Sequence, residues 1–183
     1  MAGDADKIAF LRQHGTGELA HSDASLLDHL CGVRDLLASW GCGTALCDAG
    51  LFHSVYGTEI FPTGAVPPEL RPAVRELIGD EAETLAYLFG AVTRTSLFDA
   101  AFDGAPFLLE SRDGEYLAVT DEQYSGLAAL TVANWLEQRP RFPEASQFNR
   151  AREFDAMRAY LPATVRAALE QAYQFTPLAE PAN

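Results

Sequence analysis

Residues 44–57 read Thr-Ala-Leu-Cys-Asp-Ala-Gly-Leu-Phe-His-Ser-Val-Tyr-Gly and are the stretch that decides the fold. Their apolar side chains lie almost all the way round a helix, whereas a surface helix would carry them on one stripe. Gly57 ends the pattern, as glycine often does at the C-terminus of a helix. The stretch therefore predicts a buried helix, carrying His53, at the centre of the domain.

Two amphipathic helices are predicted before this central helix. The first is short, covers residues 4–14 and ends at Gly15-Thr16-Gly17. The second begins after a cap that Ser22 or Asp23 can provide, and it ends at Gly41. Its apolar residues recur at steps of three and four, and they are Leu26, Leu27, Leu30, Val33, Leu36 and Leu37.

The second half of the chain continues the helical pattern with one interruption. Two apolar runs flank Arg112-Asp113-Gly114, and Asp-Gly in that setting is typical of a β-hairpin. Helices are predicted for residues 69–78, 80–93, 145–160 and 162–173, and from the Thr120 capping box to the prolines at 140 and 143. We therefore expect one all-α domain over residues 1–176, with a small β-hairpin insertion and a frayed tail at 177–183.

Charge and cysteine content argue against several classes of protein. The formal net charge is −13, from 26 acidic and 13 basic residues, so we expect no nucleic-acid partner. Three cysteines in apolar helical settings favour the free thiols of a reducing cytoplasm over a disulfide framework. The chain opens with acidic residues and has no apolar run of membrane-spanning length, so we expect a cytoplasmic protein without a membrane partner.

Four segments carry a resemblance to a known family. They are residues 22–29 (Ser-Asp-Ala-Ser-Leu-Leu-Asp-His), 49–55 (Ala-Gly-Leu-Phe-His-Ser-Val), 79–94 (from Gly-Asp-Glu-Ala to Gly-Ala-Val-Thr-Arg) and 130–136 (Leu-Thr-Val-Ala-Asn-Trp-Leu). In order and spacing they resemble the RelA/SpoT-type guanosine tetraphosphate hydrolase domain, a branch of the HD superfamily. The resemblance implies an HD-like helical bundle in which two histidines and two aspartates hold a divalent metal ion.

The resemblance also shows where this chain departs from the family. His29 and His53 stand at the positions of the two histidines, but Asn134 replaces the last aspartate. Ser54 replaces the aspartate of the dyad, and Gly57-Thr58 replace the Glu-Asp pair that handles the attacking water. We therefore do not expect the chain to be an active guanosine tetraphosphate hydrolase.

The remaining donors suggest which metal the site would take. Two neutral imidazoles and one amide oxygen suit a softer ion better than Mg²⁺, because hard cations favour anionic oxygen ligands. We expect one divalent ion, of Zn, Fe, Cu or Mn, held by His29, His53 and Asn134. His21 lies eight residues before His29 and could add a third imidazole.

Other residues near these donors are candidates for binding and catalysis. His21, Ser54 and Arg94 are the candidate substrate-binding residues. Tyr56 and Glu59 lie one and about two turns beyond His53 and are the candidate catalytic residues. Glu59 would serve as a general base or as a substitute metal ligand, since it is a carboxylate close enough to His53 in sequence to reach the same cavity.

Three functions remain open. The first is a divergent HD-type metal-dependent enzyme acting on a small molecule. That molecule could be anionic, because a cation such as Arg94 can define a pocket for it. The second is a non-catalytic small-molecule-binding module on an HD scaffold that has lost its metal, and the third is a metal-dependent oxygenase. Without the resemblance, His29 and His53 on apolar helix faces would also be explained as hydrogen-bonded core histidines.

Overall fold

The computed structural model describes residues 2–21, 24–104 and 108–175, with the backbone alone for Ala20, His21 and Ala24. These residues are mostly helical, which confirms an all-α class with a small hairpin. The α-helices are α1 (Asp4–Gln13), α2 (Leu26–Ser39), α3 (Thr44–Phe52), α4 (Arg71–Ile78), α5 (Asp80–Ala91), α6 (Arg94–Asp103), α7 (Asp121–Gln138), α8 (Ala151–Met157) and α9 (Ala163–Tyr173). Short 3₁₀ turns cover Pro68–Leu70, Arg139–Arg141, Glu144–Ser146 and Arg158–Tyr160.

Two short antiparallel strand pairs interrupt the helices. Strands β1 (Ala20–His21) and β2 (Ala24–Ser25) pair just before α2. Strands β3 (Leu108–Glu110) and β4 (Tyr116–Ala118) form the predicted hairpin, with Leu109 opposite Leu117. The tight turn between β3 and β4 contains Gly114, whose φ of 84° suits glycine.

Helix α3 lies at the centre of the molecule, as the opening stretch predicts. It packs against α2, α5 and α7, and Leu51 and Phe52 are fully buried. The helix ends at Phe52 rather than near Gly57, and the reason is local. The carbonyl of Gly50 accepts a hydrogen bond from the His53 ring at 2.7 Å, and the following residues form i→i+3 turns from Phe52 to Val55 and from Ser54 to Gly57.

Other boundaries differ from the predicted ones in ways that local contacts explain. Ser22 and Asp23 lie outside the described residues, and the cap of α2 is Ser25, whose hydroxyl accepts from the Asp28 amide. Helix α6, which the sequence pattern did not predict, starts at a Thr93 cap. The helix predicted for 145–160 is broken, because Arg150 adopts a left-handed conformation with a φ of 68°.

The described helices have a single continuous apolar core and no membrane-spanning member. Buried side chains run from Leu11 in α1 to Tyr173 in α9. Among the residues described, no helix combines the length and the apolar character required to cross a bilayer. The predicted frayed tail, residues 177–183, lies outside the described part of the chain.

Candidate functional site

Three donor atoms converge where α2, the end of α3 and α7 meet. The Nε2 atoms of His29 and His53 are 3.2 Å apart. The Oδ1 atom of Asn134 lies 3.0 Å from the first and 3.1 Å from the second. The two imidazoles are fully buried and meet edge to face. We call these three side chains the histidine cluster, and its geometry is a nearly equilateral triangle of donor atoms.

A carboxylate fixes the orientation of the His29 ring. Nδ1 of His29 lies 2.5 Å from Oε2 of Glu137, which also accepts a hydrogen bond from Arg141 at 2.6 Å. Burial alone would raise the pKa of Glu137, but the hydrogen bonds from His29 and Arg141 outweigh it and lower the pKa to about 2. Glu137 is therefore ionised at neutral pH and accepts the Nδ1 proton of His29. A neutral His29 then presents an unprotonated Nε2 to the cluster.

A backbone carbonyl fixes the His53 ring in the same way. Nδ1 of His53 donates to the Gly50 carbonyl at 2.7 Å, so a neutral ring carries no hydrogen on Nε2. Burial, with a smaller effect from neighbouring His29, lowers the pKa of His53 to about 3. His53 is therefore neutral across the physiological pH range, which is the form that binds metal ions.

The third atom of the cluster, Oδ1 of Asn134, also accepts a hydrogen bond from outside the cluster. Gln138, one turn later on α7, donates from Nε2 to Oδ1 of Asn134 at 3.2 Å and to its backbone carbonyl at 3.1 Å. In this orientation the amide oxygen of Asn134 faces the two imidazoles. Three lone pairs thus meet within hydrogen-bonding distance, an arrangement that calls for a cation among them, either a proton or a metal ion.

A small cavity adjoins the histidine cluster. Its volume is about 70 Å³, and it is lined by Ser54, Thr58, Glu59, Ile60, Phe61, Phe89, Arg94, Asn134 and Gln138. The structure thus brings four predicted site residues, Ser54, Glu59, Arg94 and Asn134, to one cavity. Glu59 lies at its exposed rim, where Oε2 accepts a hydrogen bond from the Arg94 amide at 2.6 Å.

Tyr56, a predicted catalytic residue, is not in the lining of this cavity. Tyr56 lines a different cavity, and its hydroxyl donates to Oε1 of buried Glu83 at 3.2 Å. Burial, with a further effect from Glu83, raises the pKa of Tyr56, so its phenol stays protonated. The side chain of His21 lies outside the described residues, although its backbone is in β1.

The backbone conformation and the surroundings of residue 57 require a glycine. Gly57 has a φ of 83°, and a Cβ atom at this position would lie 2.6 Å from the Pro62 carbonyl oxygen. A side chain is therefore excluded by both conformation and space. Thr58 follows in a tight turn in which its amide donates to the Phe61 carbonyl.

Sequence reasoning assigned no role to Glu137, although a signal for it exists. Asn134, Glu137 and Gln138 are spaced i, i+3 and i+4 and share one face of α7, and Arg141 follows in the next 3₁₀ turn. Gly32 makes room for this face on α2, because a Cβ atom there would lie 2.9 Å from Cγ of Glu137. The polar stripe at helical spacing could have pointed to Glu137.

The donor set fits a divalent metal ion on its chemistry. Metal–ligand bonds of about 2.0–2.1 Å place two ligands of one ion about 2.9–3.4 Å apart, and the three separations in the cluster fall within that range. Glu137, His29 and the cluster also match the carboxylate–histidine arrangement that orients metal ligands. Within the described residues, no group of three or more His, Cys, Asp or Glu side chains could hold a metal, so an amide would have to take part.

Comparison with known proteins gives one family match. A family described as a domain of unknown function (DUF6817) matches residues 10–94, slightly less than half of the chain. The matched segment contains His29, His53 and Arg94 but ends before α7, which carries Asn134. Neither the curated proteins nor the solved structures include a significant match.

Proposed function

We propose that this chain is a divergent HD-like domain that binds one divalent metal ion and acts on a small molecule in the adjoining cavity. His29 Nε2, His53 Nε2 and Asn134 Oδ1 would hold the ion. The observation that carries the proposal is the convergence of these three lone-pair donors at 3.0–3.2 Å. The Nδ1 atom of each imidazole is hydrogen-bonded, to Glu137 in His29 and to the Gly50 carbonyl in His53, which fixes both rings. Because the donors are neutral, the site favours Zn²⁺, Fe²⁺ or copper, with Mn²⁺ bound more weakly.

Residues around the proposed metal site would have separate roles in binding and catalysis. A bound ion would act as a Lewis acid towards a water or a substrate oxygen. Glu137 keeps the Nε2 atom of His29 available and supplies a negative charge behind the ring. Glu59 is the carboxylate at the cavity rim and could accept a proton there, while Arg94 contributes a positive charge to the cavity wall.

Elemental analysis tests the metal site. Protein purified without chelators should contain close to one transition-metal ion per chain, and His29→Gln and His53→Gln should each lose it. His14→Gln is the matched control, because His14 also bonds a backbone carbonyl but lies in α1's C-terminal cap, outside the cluster. If the wild type stays metal-free even after Zn²⁺ is added, the proposal is wrong and the protonated cluster of a binding module becomes the better explanation.

We also expect the chain not to hydrolyse guanosine tetraphosphate at a rate typical of the intact hydrolases. The reason is the loss of the acidic pair at Gly57-Thr58, where the backbone leaves no room for a side chain on Gly57. Pyrophosphate release from guanosine tetraphosphate, measured with Mn²⁺ present, checks this directly. Robust metal-dependent release by the wild type would contradict the expectation.

A further inference from the structure

A second, mostly apolar cavity adjoins the polar cavity beside the histidine cluster. Its volume is about 250 Å³, and it is lined by Leu19, Leu26, Ser54, Ile60, Phe61, Pro62 and Thr63. Ser54, Ile60 and Phe61 line both cavities, so the two cavities lie next to each other. A ligand could place an apolar part in the larger cavity and a polar part in the smaller one.

Three of the residues that line the apolar cavity are large apolar side chains exposed to solvent. Ile60 is 78% exposed, Leu19 is 44% exposed and Phe61 is 41% exposed. All three belong to the lining of the apolar cavity. Clustered apolar side chains that face water beside a polar site are typical of a ligand-binding surface, whereas isolated ones need no explanation.

Arg94 supplies a charged donor to the polar cavity. Its Nη2 donates to the Phe89 carbonyl at 3.0 Å, and its guanidinium carbon lies 3.8 Å from the centre of the Phe89 ring. Its Nη1 is buried and has no hydrogen-bond partner among the residues that the structure describes. A buried donor of a charged group without an acceptor is unfavourable, so an acceptor supplied by a ligand would be bound strongly.

Glu59 does not neutralise this donor by a direct hydrogen bond. Its Oε2 atom accepts from the backbone amide of Arg94 at 2.6 Å, at the start of α6. Desolvation lowers the pKa of Arg94 to about 10, which still leaves the guanidinium protonated at neutral pH. The side chain of Arg94 therefore carries its charge into the cavity wall.

The charge and size of the polar cavity define the anion that suits it. Among the residues that the structure describes, Arg94 is the one cationic side chain in its lining, and Glu59 adds a negative charge at the rim. One cation opposed by a carboxylate suits a single negative charge better than the two of a phosphate monoester. At about 30 Å³ per water molecule, a volume of about 70 Å³ holds two waters or one carboxylate group.

We propose that the ligand of this site is a small amphiphilic monocarboxylate. Its carboxylate pairs with Nη1 of Arg94, and its apolar body lies in the cavity between Leu26 and Ile60. The inference deepens the proposed function, because it names the substrate class of the same site. It does not require the metal ion, since neither Arg94 nor the lining of the apolar cavity is among the proposed ligands of the ion.

Binding of hexanoate to the chelated, metal-free protein tests this class. Chemical shifts or heat would be followed during titration with hexanoate, acetate, hexanol and hexyl phosphate. Hexanoate should bind about 10- to 100-fold more tightly than hexanol, because a hydrogen bond to a charged group accounts for that factor. It should also bind at least about 10-fold more tightly than acetate, because acetate lacks the apolar body. Equal binding of hexanoate and hexanol, or tighter binding of hexyl phosphate, would overturn the proposal.

Variants separate the two halves of the site. Arg94→Gln should reduce hexanoate affinity to that of hexanol and leave hexanol unchanged, while Arg94→Lys should retain part of the preference. Ile60→Ser should weaken hexanoate and hexanol alike, by about 3- to 10-fold. Arg12→Gln, at an exposed arginine of α1, is the matched control and should change nothing. Unchanged hexanoate binding in a folded Arg94→Gln protein would contradict the assignment.

These titrations also distinguish this inference from the metal proposal. If the wild type binds hexanoate but takes up no Zn²⁺ when it is added, the carboxylate site stands and the metal proposal fails, which favours the non-catalytic module. Metal binding without hexanoate binding would refute the ligand class and leave the metal site standing. The two proposals can therefore fail separately.

Discussion

Two buried polar clusters, one around Glu83 of α5 and the other the histidine cluster, are built in opposite ways. In one, the fully buried carboxylate of Glu83 accepts hydrogen bonds from Arg71 Nε at 2.6 Å, Arg75 Nε at 2.7 Å and Tyr56 at 3.2 Å. In the Glu83 cluster, hydrogen-bond donors therefore surround a hydrogen-bond acceptor. In the histidine cluster, three acceptor atoms meet one another and the hydrogens point outward, towards Glu137 and Gly50.

The two clusters differ in how their polar groups are satisfied. Burial alone would raise the pKa of Glu83, but the hydrogen bonds from Arg71 and Arg75 lower it, so the carboxylate is matched in charge and joins α4 to α5. Nothing in that cluster calls for a ligand. In the histidine cluster a cation among the three lone pairs would relieve their repulsion, which is the basis of the proposed metal site.

The largest predicted effect comes from breaking the structural cluster. Glu83→Gln should lower the free energy of unfolding by about 3 kcal/mol, the lower end of the range for a broken buried ion pair, because Arg75 is partly exposed and can turn to water. Urea denaturation measures this. Glu81→Gln, an exposed carboxylate on the same helix, is the control and should change stability by less than about 0.5 kcal/mol.

The second effect is a pH dependence of the metal-free protein. The pKa of His53 is lowered from 6.5 to about 3, so between these values the unfolded chain binds a proton that the folded chain does not. Stability therefore falls as the pH falls through this window, by about 1.4 kcal/mol per pH unit for this group and about 2–3 kcal/mol between pH 6.5 and about pH 4.5.

His53→Gln isolates that contribution, because other groups titrate in both proteins. The variant should show a shallower loss of stability on acidification in chelator, by about 1.4 kcal/mol per pH unit. Denaturant melts at several pH values give both slopes. Identical slopes in a folded variant would mean that His53 is not held neutral by burial.

The third effect tests the support behind His29. Glu137→Gln keeps the size of the side chain but removes its charge, and loss of such a partner should weaken Zn²⁺ binding about 10- to 100-fold. Gly32→Ala should act in the same direction, since its Cβ atom would displace Glu137. Glu144→Gln, at an exposed carboxylate beyond α7, is the control. Unchanged Zn²⁺ affinity in both variants would show that Glu137 serves stability alone.

The sequence predicted more of the fold than of the site. Capping boxes and apolar spacing are local, so the Thr120 cap of α7, the hairpin and the buried α3 could be read from neighbouring residues. The roles of Tyr56 and Glu137 depend on side chains far away in sequence. Tyr56 is turned to Glu83 on α5, and Glu137 meets His29 across 108 positions. Such pairings follow from helix packing, which periodicity alone does not determine.

The last predicted effect would convert the neutral site towards a charged one. Asn134 presents Oδ1 to both imidazoles, and Ser54 lines the cavity beside it. Ser54→Asp combined with Asn134→Asp should therefore add anionic oxygens at the cluster and strengthen Mn²⁺ binding by about 1–3 kcal/mol, or roughly 5- to 150-fold. Calorimetric titration of the wild type, the double variant and Asn134→Asp alone would apportion the gain. Asn149→Asp, an exposed asparagine before α8, controls for added charge. Equal or weaker Mn²⁺ binding in a folded double variant would mean that these oxygens do not face a common ion. The histidine cluster would then differ from the Glu83 cluster because its lone pairs share a proton and not a metal ion.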